Sequence, residues 1–101
     1  MAEHTNLVAL ASSLPEAWRS HVVGRPAGAN LKVVRMDGQA YPNESHPFDE
    51  ALLVLDGQMN LQFGDAVTRV GPGEVYIVPA GVLHAVAEGS HGTLVIIDSE
   101  A

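Results

Sequence analysis

Short apolar runs of β-type composition recur along this chain, and turn-forming residues follow almost every one. HVVGR (21–25), LKVVRM (31–36), ALLVL (51–55), QMNLQF (58–63), AVTRV (66–70), VYIVP (75–79), LHAVA (83–87) and TLVIID (93–98) make about eight such runs. PAGAN, Asp56-Gly57, Gly64-Asp65 and GPG (71–73) stand between them as turn signals, Asp56-Gly57 in the form of a tight hairpin. The run at 58–63 alternates cleanly, with Met59, Leu61 and Phe63 on one face and Asn60 and Gln62 on the other. A series of this kind predicts an all-β sandwich or barrel. Closure into a barrel would remove the exposed edges that many short strands create. The pattern itself does not choose between the two.

A different lead precedes the strands. Residues 7–19, LVALASSLPEAWR, read as a helical turn, a break and another turn. Ser13 is placed to cap the second turn, with Pro15 near its first position and Glu16 in its first turn. Trp18 is expected to pack on the main body. Residues 1–6 read as a ragged end. The 101 residues are expected to form one domain, 1–101, with an N-terminal lead over 1–19 and a β-barrel over 20–98. A chain of this length buries only a modest core, so a partner subunit would help it.

Composition narrows the function classes. The chain is 47% apolar and 17% charged, which is globular rather than disordered. Its net charge of −7 argues against a nucleic-acid or anionic-membrane partner, since both need a cationic face. It has no cysteine, so there is no disulfide, and any metal site must use nitrogen and oxygen ligands. Absence of cysteine fits a cytoplasmic location. MAEHTNLVAL has neither a basic start nor a long apolar run, so no signal peptide is expected. No apolar stretch approaches the ~20 residues of a membrane span.

The stretch ESHPFDE, just before ALLVL, breaks the apolar pattern with three acids and a histidine. If residues 44–55 are extended, then Glu44, His46, Phe48, Glu50, Leu52 and Val54 share a face. Its polar members gather at one end and its apolar members at the other, as at the mouth of a barrel. His84 is a second polar intruder, flanked by Leu83 and Ala85 and sharing a face with Val82 and Val86. If that face is interior, His84 meets the His46 group across the barrel. Two histidines and a carboxylate form the facial-triad ligand set of a divalent metal, with Glu44 available as a fourth donor. The residues alone leave a second reading open: a solvated acidic loop for Glu44 and Asp49, with one satisfied, semi-buried histidine at 84.

At these positions the chain resembles the cupin superfamily, and the small single-domain members in particular. The first cupin motif, G-x5-H-x-H-x3/4-E-x6-G, is met by Gly38, His46, Glu50 and Gly57, with Glu44 in the place of the first histidine. The second, G-x5-P-x-G-x2-H-x3-N, is met by Gly73, Pro79, Gly81 and His84, with Glu88 in the place of the asparagine. The resemblance implies an antiparallel double-stranded β-helix, the cupin jelly-roll barrel, preceded by a short N-terminal helical segment and usually dimeric. It implies that Gly57 and Gly73 serve turns, and that Pro79 and Gly81 shape the turn leading back to His84. It also implies that His46, Glu50 and His84 are metal ligands. Glu44 can join them, act as a base beside the metal, or turn to water with the metal lost. A site of two histidines and two carboxylates is harder than the usual one and shifts the expectation toward Fe(II) or Mn(II), with Ni and Zn as alternatives.

The remaining polar and aromatic residues have plainer expectations. His4, His21 and His91 are expected at the surface, Met36 and Met59 in the core, and Asp49 in solvent. Arg35 and Arg69 are expected in exposed ion pairs, and Tyr41 and Tyr76 are candidate pocket residues. There is no phosphate-cradling glycine loop and no hydrolase-type serine. Three functions follow. One is a metal-dependent enzyme on a small polar molecule, of dioxygenase, isomerase or lyase type, with Phe48, Leu52, Val54 and Val86 as apolar pocket wall. The second is a non-catalytic small-ligand-binding or sensor protein, with or without metal. The third is a barrel whose metal site has decayed, kept as a dimeric structural or partner protein. The expected partners are a small-molecule ligand or substrate and a second copy of the chain, with no nucleic acid and no membrane.

Overall fold

The computed structural model describes residues 4–100. Among these residues one α-helix, α1 (Leu7–Ser13), is followed by eight strands, with a 3-10 turn at Pro26–Gly28 between the first two: β1 (His21–Gly24), β2 (Asn30–Asp37), β3 (Tyr41–Glu44), β4 (Glu50–Phe63), β5 (Ala66–Val70), β6 (Val75–Val78), β7 (His84–Val86) and β8 (His91–Asp98). Every strand pair is antiparallel. The strands curl into a β-barrel whose hydrogen-bonded order is β1-β2-β8-β4-β7-β3, with β5 and β6 also paired to β4.

Strand β4 organises the rest. Its first half pairs with β6 and β8, and its second half with β5 and β7, so one strand belongs to both walls of the barrel. The expected hairpin at Asp56-Gly57 does not exist. The two runs ALLVL and QMNLQF are one strand, bent there by a register shift against β8. Gly57 has φ +75 and faces Gly92, with φ +102, across the β4–β8 seam. A Cβ on Gly57 would run into the carbonyl of His91, and one on Gly92 into that of Asp56. The Asp56 side chain accepts the Thr93 amide at 2.6 Å and ties the bend down. Asp-Gly therefore supplies the positive φ and close approach of a bend rather than those of a reversal. The Gly64-Asp65 turn forms as expected and joins β4 to β5.

The other difference lies in residues 41–44. YPNE forms β3, unforeseen because proline and two polar residues suppress the strand signal. It ends the strand order beside β7, an edge where proline's missing N–H is tolerated.

The lead also differs in part. Asn6 caps α1, its side chain accepting the Ala9 amide at 3.0 Å. Pro15 disfavours helical backbone at the preceding residue, and Leu14 is extended (φ −68, ψ 131). The second helical turn does not form, and Ser13 donates back to the Leu10 carbonyl at 2.7 Å instead of capping. Of the segment read as a ragged end, residues 1–3 lie outside the described residues. Trp18 packs against the core as expected, its ring 5.6 Å from that of Tyr41, and donates Nε1–H to Asp37 at 2.7 Å.

Inside the barrel, Val34, Met36, Leu52, Val54, Met59, Leu61, Val70, Val78 and Leu94 form one cluster. Val54, Met59 and Leu61 are fully buried, and each contributes ~1.5–3 kcal/mol. The β4–β8–β2 register arranges this face in rows: Val54, Leu94 and Val34 deepest, then Leu52, Ile96 and Lys32. The next row toward the rim sets Asp98 against Asn30, and one further step of the same register brings Glu50 beside Asp98. On the outer face α1 packs against β2 and β8, where Val33 and Val95 are buried. Among the described residues no helix is long and apolar enough to cross a membrane.

Candidate metal centre

Four donor side chains gather at the rim. Glu44 ends β3, His46 lies in the loop that follows, Glu50 opens β4 and His84 opens β7. The chain is not extended through residues 45–49, yet burial still alternates: Glu44, His46 and Phe48 are half-buried, and Glu50 is buried. Phe48 stacks on His46, ring centroids 5.0 Å apart and nearly parallel. His84 does not reach His46 from across the barrel. It is the register partner of Glu44 on the adjacent strand, and Glu50 comes to the group from the other half of the sheet.

One donor atom from each of the four residues lies within 4.8 Å of the others. His46 Nε2 is 3.4 Å from Glu44 and 3.8 Å from Glu50, while His84 Nε2 is 3.9 Å from Glu44 and 3.3 Å from Glu50. Two atoms that each bind one ion at ~2.1 Å can be at most ~4.2 Å apart, so all four separations are compatible with a shared ion. His84 is 3% exposed, and its Nδ1 lies 2.9 Å from the Val82 carbonyl. A carbonyl only accepts, so Nδ1 carries the proton and Nε2 presents its lone pair to the cluster. Among the described residues that buried Nε2 has no hydrogen-bond partner. An orphaned acceptor beside two carboxylates, with its other nitrogen anchored to backbone, is the arrangement of a metal-ligating imidazole. The residues fit a divalent cation.

Burial pushes the Glu50 carboxyl above its ordinary range; His46 and His84 oppose the shift, and Glu44 and Asp98 reinforce it. Ionising Glu50 without a cation nearby is therefore disfavoured, whereas a bound cation would favour it.

Asp49, expected in solvent, is exposed but not idle. Its side chain accepts the Ala80 amide at 2.9 Å, and the Gly81 amide donates to the His46 carbonyl at 2.7 Å. These two bonds bolt the His46 loop to the turn made by Pro79 and Gly81.

The cluster opens into a cavity of about 230 Å³. Its apolar wall holds Leu52 and Val86 as expected, but Val34, Met59, Leu94 and Ile96 take the places foreseen for Phe48 and Val54. Tyr41 lines it with Trp18, while Tyr76 packs on Phe63 instead. Val82 is 36% exposed and lies outside the wall. His4, His21 and His91 are at the surface, and Met36 and Met59 are in the core. Arg35 donates to the Leu14 carbonyl at 3.2 Å, and neither it nor Arg69 forms an ion pair among the described residues.

The wall also carries a polar group that the sequence reading passed over. Lys32, 7% exposed, donates to Asp98 at 2.9 Å and to Glu100 at 3.2 Å. Asn30 Nδ2 donates to the other Asp98 oxygen at 2.9 Å and to the Glu100 carbonyl at 2.6 Å. Burial pulls the Lys32 ammonium down, but its bonds to Asp98 and Glu100 outweigh this and hold it above its ordinary value. Burial likewise pushes Asp98 up, and the bonds from Lys32 and Asn30 bring it below its ordinary value. The signal was the strand alternation: Lys32 shares a face with Val34 and Met36, and Asp98 with Leu94 and Ile96.

The profile of the family described as the cupin domain matches residues 32–100. No curated protein matches the chain. Among solved structures, a cupin-2 domain protein from Shewanella frigidimarina is similar with a TM-score of 0.85 at 23% identity, covering 95% of this chain and 94% of its own. A protein from Neisseria meningitidis is similar with a TM-score of 0.80 at 27% identity, covering 95% and 98%. One from Ralstonia eutropha, described as a candidate mannose-6-phosphate isomerase, has a TM-score of 0.81 at 26% identity and covers 99% and 100%.

Proposed function

The chain belongs to the cupin family, and from that premise we propose that it is a metal-dependent enzyme acting on a small polar molecule. His46, Glu50 and His84, joined by Glu44, are its metal ligands. The observation that carries this reading is the buried, unpartnered Nε2 of His84, aimed at two carboxylates while Nδ1 is committed to Val82. Two imidazoles with two carboxylates suit Fe(II), Mn(II), Ni(II) and Zn(II), and the second carboxylate favours the harder ions. A divalent ion held there would supply Lewis acidity or oxygen activation. The protein's own residues do the rest. Val82 orients His84, Asp49 and Gly81 hold the loop of His46, and Phe48 fixes the imidazole plane. Leu52, Met59, Val86 and Ile96 supply the apolar part of the cavity wall. The reaction belongs to the dioxygenase, isomerase or lyase classes, and one structural neighbour is named as an isomerase.

Elemental mass spectrometry of untagged protein tests the ligand set. The expected result is close to one metal per chain, lost in His46→Ala and in His84→Ala. No metal after incubation with Fe(II), Mn(II), Ni(II) and Zn(II) would sink the ligand assignment and the enzyme with it. Glu44→Gln then asks whether that carboxylate is a ligand: unchanged affinity removes it from the set.

We also propose that two copies pair through the outer face of the β6–β4–β8 wall. There Ile77, Ala51 and Ile97 align in one row, and Val75 and Leu53 in the next. Ile77 and Val75 are each 54% exposed, leaving an uncharged patch next to the face α1 covers. Ile77→Asp is expected to convert a dimer to a monomer by light scattering, and a wild-type monomer would refute the pairing. A cytoplasmic location stays with this reading as an expectation.

A further inference from the structure

The cavity rim is lopsided in charge. Glu44, Glu50, Asp98 and Glu100 all line it, and among the described residues Lys32 is the only lysine or arginine that does. That ammonium does not stand ready for a ligand anion. Two of its three N–H donors are taken by Asp98 and Glu100. The Asp98 carboxylate is itself held in place by Asn30 and by the Glu100 amide. Four carboxylates thus face one already paired cation, and even a divalent ion among Glu44, His46, Glu50 and His84 leaves the rim with an excess of negative charge. A concave site lined with one sign of charge concentrates ligands of the other sign and depletes those of its own.

We infer that the ligand of this cavity carries no phosphate or carboxylate. It bears hydroxyl or carbonyl oxygens and no anionic group, and one of those oxygens accepts the remaining N–H of Lys32. Here Lys32 is a positioning donor fixed by Asp98 and Glu100, not an anion receptor. The cavity of about 230 Å³ falls below the ~300–1,000 Å³ usual for larger ligands, so the molecule is small. The neighbour described as acting on a phosphorylated sugar therefore does not supply this chain's substrate. The inference deepens the enzyme reading, but the charge pattern belongs to the metal-free chain as well.

Trp18 provides the test, because it lines the cavity and is the only tryptophan in the sequence. Quenching of its fluorescence by iodide and by neutral acrylamide is compared at low ionic strength, with and without bound metal, against N-acetyltryptophanamide. The expected iodide-to-acrylamide ratio is lower than that of the free indole by about threefold. Asp37, bonded to the indole, adds a constant repulsion. The variant Glu100→Gln isolates the rim, since its half-exposed side chain (55%) can change without unfolding the barrel. It is expected to raise the iodide constant and leave the acrylamide constant unchanged, whereas Lys32→Gln is expected to lower it further. Inorganic phosphate is expected to leave the melting temperature of metal-loaded protein unmoved. An iodide ratio equal to that of free indole, no response to Glu100→Gln, or a melting temperature raised by phosphate would each overturn the inference. Loss of metal binding alone would overturn only the enzyme reading.

Discussion

Glu50 and Asp98 are each 5% exposed and stand side by side on β4 and β8, yet the fold treats their charges in opposite ways. Asp98 is met by an ammonium and an amide and sits below its ordinary pKa. Among the described residues Glu50 has only two histidines for partners, which help only when protonated, and burial pushes it up. The first acid is structurally complete without any ligand. The second is left in want of a cation. Side by side, they separate what this barrel needs to stand from what it holds ready for chemistry.

The contrast breaks most visibly if the complete side is opened. Lys32→Met leaves Asp98 buried without its ammonium and is expected to cost about 3–5 kcal/mol in denaturant unfolding. The double variant Lys32→Met with Asp98→Asn removes both charges and is expected to recover most of that loss. An unchanged midpoint in the single variant would show that the pair is no more than decoration.

On the incomplete side the sign reverses. Glu50→Gln is expected to abolish metal binding while raising the stability of metal-free protein by about 1–2 kcal/mol near pH 8. A raised acid stabilises fully below its unfolded-state value of ~4.3, and that contribution is lost as pH rises through the folded value. The gain from Glu50→Gln is thus expected to vanish in acid and grow upward through that window. Asp98, being depressed, stabilises above ~3.9 and loses its contribution as pH falls through its folded value. Thermal melts of both proteins across pH read the two limbs, and a gain that shrinks with rising pH would contradict the assignment. Asp49→Ala is the gentlest probe. It is expected to cost ~1 kcal/mol of stability and about tenfold in metal affinity, and retained affinity would show that the His46 loop holds its shape without the clamp.

How much of this could be read from the chain depends on which physics carried each part. Most strands follow from local alternation and turn residues, whereas the closed barrel and the four-residue cluster rest on the resemblance to the two cupin motifs. Asp56-Gly57 misled because its dihedral preference serves a bend as well as a hairpin. Only the approach of Gly92 from 35 positions away decides between them. β3 escaped because an edge strand tolerates Pro42, which argues against a strand elsewhere. Lys32 and Asp98 were passed over because neither signals burial alone; their partnership spans 66 positions. In each case the missing information was a contact between distant segments.

The bent β4 has a consequence for the order in which this protein can be assembled. Its first half closes on β8 and β6, its second on β7 and β5, and the donors arrive from β3, the loop after it, β4 and β7. No contiguous fragment shorter than residues 44–84 contains all four donors. The candidate site can therefore close on one ion only once β3, β4 and β7 have been brought together, which places its completion after their pairing.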